Sequence, residues 1–173
     1  MMSLGKLQVY TGNGKGKTTA AIGLAVRGAG HGLRSYIGQF LKGLPTGEAE
    51  ALAHIPGIRM EQFGDGSFVL EGSPLEPHRK EARQGLQRVR EALLGGSYQI
   101  VILDEINVAL DLGLLFREEV EDVLETVPPG TEIVCTGRGA PGWLIERADL
   151  VSEVGAVKHY ADRGMEAREG IEY

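Results

Sequence analysis

A single cysteine in 173 residues excludes an intrachain disulfide, and no spacing of His, Cys, Asp or Glu supplies the ligands of a zinc site. The chain must hold itself together by burial. A single domain over residues 1–173 is long enough for that, since a domain of this size covers about two thirds of its unfolded surface. No apolar run nears the 18 residues of a spanning helix, and no signal peptide opens the chain. A cytoplasmic protein with no membrane partner is expected. Positive charge is also short: 18 Lys and Arg against 24 Asp and Glu give a formal net charge of -6, which argues against a nucleic-acid partner. There is no linker, internal repeat or low-complexity segment. What the sequence has in quantity is glycine, 26 residues, many at boundaries where a tight α/β protein turns.

The densest of these runs is Val9-Tyr10-Thr11-Gly12-Asn13-Gly14-Lys15-Gly16-Lys17-Thr18-Thr19. It joins an apolar strand to an Ala-rich helix, the context a phosphate-binding loop requires. Glycines let backbone N–H groups curl around an anion, the helix N-terminus aims its dipole at the same point, and Lys17 adds a full charge. Thr18 stands where such loops hold magnesium. The usual first glycine of G-x-x-x-x-G-K-[ST] is here Thr11, so the loop is a variant. The plainer reading is a glycine-rich turn with a solvated lysine.

Hydrophobic patterning predicts strands at Lys6 to Tyr10, Ser35 to Phe40, Ile58 to Phe63, Gln99 to Leu103, Glu132 to Cys135 and Leu150 to Val154, the last continuing weakly toward Val157. Helices are predicted at Thr18 to Ala29, Gly47 to His54, Ile106 to Leu112, Arg117 to Val127 and Trp143 to Arg147. A longer helix carries the stripe Ala82, Leu86, Val89 and Leu93, with a solvated charged face, and stops at Gly95-Gly96. Alternating strands and helices, with strands that are nearly all apolar, imply a parallel sheet covered on both sides. The loop from Gly64 to Pro74 keeps Phe68, Val69 and Leu70 among polar residues, which suggests a ligand or partner over them.

Open α/β sheets bind ligands past the C-terminal ends of their strands. Lys17 and Thr18 follow the first strand, Gln39 and Lys42 the second, Asp104 and Glu105 the most apolar one, and Arg138 the next. An acidic residue ending a buried strand, in a chain with a phosphate loop, is the second half of a nucleotide site and binds magnesium directly or through water. Asp104 could instead cap the following helix, and Arg138 could be a surface ion pair. His31 and His54 are expected at helix ends and His78 on a solvated helix start. His159 is expected near a strand end where it could touch a ligand. Cys135 reads as core. No Ser/His/Asp or Cys/His set stands out, so the reaction need not use a protein nucleophile. A GTPase would need Asn-Lys-x-Asp, and a kinase a lid rich in arginine; neither is present. A small P-loop kinase or ATPase and a nucleotide-controlled binding module are the rival readings.

Several stretches together resemble the P-loop corrinoid adenosyltransferases: Thr11 to Thr19, Ala29 to Gly32, Gln39 to Gly43, Val101 to Glu105, Thr136 to Arg138, Ala148 to Glu153, Val157 to His159 and Gly170 to Tyr173. The resemblance runs nearly end to end. It implies a three-layer α/β P-loop NTPase fold, RecA-like, with a mostly parallel central sheet of about six strands. It implies transfer of the 5′-deoxyadenosyl group of ATP to cobalt(I) of a corrinoid, with release of triphosphate. Cobalamin, cobinamide and cobyrinic acid a,c-diamide are all open as acceptors. By the same resemblance Thr11, Gly12, Asn13, Gly14, Lys15, Gly16, Lys17, Thr18 and Thr19 belong to the ATP site with Arg138, and Thr18, Glu105 and Asp104 are the metal candidates for magnesium or manganese. Lys17, Thr18 and Glu105 are the catalytic candidates, Phe68 meets the corrinoid, an external flavin-type reductase supplies cobalt(I), and the chain is a homodimer. Family members bind ATP reversed relative to most P-loop proteins. Two features depart from better-studied relatives: Val69 and Leu70 follow Phe68 where they have a Phe-x-Trp pair, and an N-terminal extension of longer members is lacking.

Overall fold

A computed structural model describes residues 5–66 and 74–171. The candidate corrinoid contact Phe68 lies outside the described residues. Six strands, β1 (Leu7–Thr11), β2 (Ser35–Phe40), β3 (Ile58–Phe63), β4 (Ile100–Asp104), β5 (Glu132–Thr136) and β6 (Leu150–Glu153), form one sheet in the order β3-β2-β4-β5-β1-β6. Every pairing is parallel. All strand C-termini therefore emerge on one edge, which places the phosphate loop, Lys42, Asp104-Glu105 and Arg138 together. One strand, β5, separates the phosphate-loop strand β1 from the acidic strand β4.

Alternation along the strands divides the core in two. Ile100, Ile102, Ile37 and Val134 meet Ala21, Ala25 and Leu52, from α1 (Lys17–Ala29) and α2 (Gly47–Ala53). Val101, Leu103, Tyr36, Phe40, Ile133 and Cys135 meet the opposite layer. That layer is α3 (Leu75–Leu94), α4 (Ile106–Asp111), α5 (Arg117–Leu124) and α6 (Gly142–Arg147). The chain thus has the three-layer α/β architecture. The buried stripe of α1 is Lys17, Ala21, Ala25 and Gly28, and a methyl added to Gly28 would lie 2.7 Å from Ile100 Cδ1. Small residues let this helix lie close to the sheet and fix where its N-terminus points.

The structure corrects several expectations. All four residues of β6 are exposed, and the strand ends at Glu153, because it is an edge strand paired only with β1. α5 stops at Leu124, three residues short of Val127: Val127 precedes Pro128, whose ring disfavours helical backbone there. His78 is buried, with Nδ1 3.8 Å from Asp65 Oδ1. It extends the inward stripe of Ala82, Leu86, Val89 and Leu93 by one turn, a helical spacing visible in the sequence. The charged face of α3 is also tied down: Arg83 pairs with Glu119 at 2.8 Å on α5, and Arg88 with Glu61 at 3.1 Å on β3.

Candidate active site

Residues 12–16 connect β1 to α1. Gly16 is the N-cap of α1, with φ 120° and no side-chain cap, so the first helical amides have no side-chain acceptor at this end. Lys17 turns back to donate from Nζ to the Gly14 carbonyl at 2.7 Å. Burial lowers the Lys17 ammonium from its ordinary value, and Arg138 adds to the shift, while Glu105 and Asp104 oppose both. An ammonium held in this way gains from any anion that enters.

Asp104 is buried, and its oxygens take three donors. Oδ1 accepts Thr18 Oγ1 at 2.9 Å and Thr136 Oγ1 at 2.6 Å, and Oδ2 accepts Gln39 Nε2 at 2.9 Å. This carboxylate joins α1, β5 and β2 and does not cap a helix. The N-cap of α4 is Glu105, in left-handed backbone with φ 62°, a conformation uncommon outside glycine. Its N–H donates to Thr136 Oγ1 at 3.0 Å, so one threonine hydroxyl fixes both acidic residues. Burial and the neighbouring Asp104 raise the Glu105 carboxyl above its ordinary value, against the pull of Lys42, Lys17 and Arg138. Gln39 also reaches Glu48 Oε1 at 3.2 Å and accepts from Gln62 at 2.7 Å. It is a bridge inside the sheet end.

These groups surround a cavity of about 580 Å³. Residues 13–19 line it, together with Lys42, Glu48, Glu105, Arg138 and His159. Arg138 is exposed, and no described carboxylate lies within ion-pairing distance of it. Thr11 and Gly12 do not line the cavity. Thr11 Oγ1 instead accepts the Ala140 N–H at 3.3 Å, which fastens the loop's start to the turn after β5. Glu48, in the first turn of α2, went unrecognised in the sequence: an acidic residue at a helix start is common enough to carry no signal.

The oxygen donors here, the Thr18 hydroxyl with the two carboxylates, match a hard divalent cation. No three His, Cys, Asp or Glu side chains come together among the described residues. A cation at this point would complete its coordination with phosphate oxygens and water, as magnesium does. The cavity therefore offers a lysine, an arginine, a helix N-terminus and a corner of oxygen donors.

The family model described as ATP:corrinoid adenosyltransferase BtuR/CobO/CobP matches residues 3–173. The corrinoid adenosyltransferase of Escherichia coli K12 is 38% identical over 170 residues, covering 98% of this chain and 86% of that one. The corrinoid adenosyltransferase CobA of Salmonella typhimurium LT2 is 36% identical with the same coverage, and the Pseudomonas aeruginosa enzyme 34% identical over 98% and 84%. The solved structure of a KaiC-like protein from Pyrococcus horikoshii OT3 covers 87% of this chain and 74% of its own at 16% identity, with a TM-score of 0.45, too slight a likeness to bear on function. On the family match and these relatives together, the chain belongs to the ATP:corrinoid adenosyltransferase family.

Proposed function

We propose that this chain moves the 5′-deoxyadenosyl group of ATP onto cobalt(I) of a corrinoid and releases intact triphosphate. The observation that carries the reading is the single cavity in which Lys17, Thr18, Glu105 and Arg138 converge while Asp104 holds Thr18 from behind. The reduced corrinoid supplies the electron pair that forms the bond to C5′. The bond between C5′ and the α-phosphate oxygen breaks, and its electron pair leaves on that oxygen. No protein nucleophile is needed. The chain's task is to hold C5′ in line with the attacking metal and to stabilise charge growing on the triphosphate.

Lys17 and Arg138 neutralise phosphate oxygens, and residues 13–19 bind the chain of phosphates through their amides. Thr18 and Glu105 hold a magnesium ion, for which manganese can substitute, and Asp104 sets the direction of the Thr18 hydroxyl. That ion supplies positive charge to the leaving group. An external flavin-type reductase provides the cobalt(I) form, and the enzyme works as a homodimer in the cytoplasm. No helix among the described residues is long and apolar enough to cross a membrane.

The test is the product. With reduced corrinoid, ATP and magnesium, phosphorus NMR is expected to find triphosphate in step with adenosylated corrinoid. A kinase or ATPase attacks the γ-phosphorus and leaves ADP. Formation of ADP without corrinoid would overturn the proposal.

A further inference from the structure

Past β6 the chain turns back over the phosphate loop. The Val154 carbonyl accepts the Gly14 N–H at 2.7 Å, and the Ile171 carbonyl accepts Lys15 Nζ at 2.7 Å. Between these two points lies a short 3₁₀ helix, Tyr160–Arg163, whose N-cap is His159. The cap is reciprocal. His159 Nδ1 accepts the Ala161 N–H at 3.1 Å, and Asp162 Oδ2 accepts the His159 N–H at 3.1 Å.

The cap determines the state of the imidazole. An N–H group can only donate, so Nδ1 must carry a lone pair, and the ring proton of the neutral side chain resides on Nε2. His159 lines the same cavity as Lys17 and Arg138. With Nδ1 occupied by the backbone, the polar atom left to the cavity is a donor. No described residue accepts from it.

We infer that His159 is a phosphate-binding residue, donating Nε2–H to an oxygen of the triphosphate. The inference rests on the proposed function only in taking a polyphosphate as the occupant. Lys17 and Arg138 bring charge; a neutral imidazole held by a backbone cap brings direction. Residues 154–171 are then one wall of the nucleotide site.

Calorimetric titration of the full chain with tripolyphosphate and, separately, adenosine tests this. Asparagine at position 159 keeps an acceptor near Nδ1 for the cap but has nothing at Nε2, whereas glutamine places an amide donor near Nε2 and gives up the cap. His159→Asn is expected to weaken tripolyphosphate about tenfold or more and leave adenosine unchanged. His159→Gln should keep tripolyphosphate within about threefold of the parent. Thermal unfolding of both variants verifies the fold, and His159→Ala replaces the asparagine variant if that one is not folded. Parental tripolyphosphate affinity in the variant lacking the donor would overturn the inference, as would equal losses for tripolyphosphate and adenosine, or equal losses in the asparagine and glutamine variants. Triphosphate release by the parent enzyme is measured separately, so failure here leaves the transferase reading standing, and failure there leaves this one.

Discussion

Lys17 and Glu105 carry opposite burdens. The lysine is buried to 7% exposure and keeps a partner in the Gly14 carbonyl; on the proposed function its removal deletes a phosphate contact. Lys17→Ala should bind ATP between about ten- and a hundredfold more weakly while melting close to the parent, as read by equilibrium titration at fixed magnesium. Unchanged affinity would move the phosphates elsewhere. Glu105 has a carboxyl raised by burial and Asp104. A raised carboxyl stabilises the fold at pH below its unfolded value, and that contribution is lost as pH rises through the folded one. Above the folded value, where Glu105 is ionised, its carboxylate therefore costs stability. Glu105→Gln is expected to melt no lower than the parent at pH 7 while turnover falls by about tenfold or more across magnesium concentrations. A melting temperature that drops along with activity would reassign Glu105 to structure. These two residues were legible for different reasons: Glu105 follows the apolar run that ends in Asp104, and Lys17 ends the glycine-dense turn after the first strand. Glu48 and the buried His78 were harder, since helix starts attract acids and a histidine on an apolar stripe looks polar until the stripe is counted.

The phosphate loop, taken as an element, gives its glycines a second use. A methyl added to Gly12 would lie 2.5 Å from the Val154 carbonyl oxygen, and one on Gly14 would lie 2.6 Å from that of Gly155. Gly16 has nothing within 4 Å, but its φ of 120° disfavours any side chain. All three glycines read in the sequence as phosphate-loop residues; two of them make room for the backbone that leaves β6. Gly14→Ala should push that segment away, with a cost of about 1–3 kcal/mol by denaturant unfolding. Trypsin should then cut faster at Lys158 and Arg163. Unaltered cleavage would mean that the loop yields instead. This contact escaped the sequence for a physical reason: it is made between backbones, and backbone pairing across distant segments leaves no side-chain pattern. The strands were legible by contrast, Ser35–Phe40 and Ile58–Phe63 to the residue, because apolar residues recur along each between turn-forming neighbours.

At the scale of the whole molecule, Cys135 sits on β5 between β4 and β1, fully buried, its thiol pushed up to about 12 by burial. It can serve as an internal gauge. A thiol reagent should label it only through global opening of the sheet, and ATP at a hundred times its Kd should slow labelling by about a hundredfold. Rapid labelling insensitive to ATP would show that the central strands open locally. The sheet order also sets a schedule. β2 and β3 are neighbours in sequence and in space, so they can pair as soon as they are made. β1 lies between β5 and β6, and its first partner, where Glu132 accepts the Gly5 N–H, comes 127 residues later. On a ribosome that interval is on the order of ten seconds. The strand that bears the phosphate loop is therefore among the first made and the last to find its neighbours, and a nascent chain halted before β5 carries a nucleotide motif with no nucleotide site.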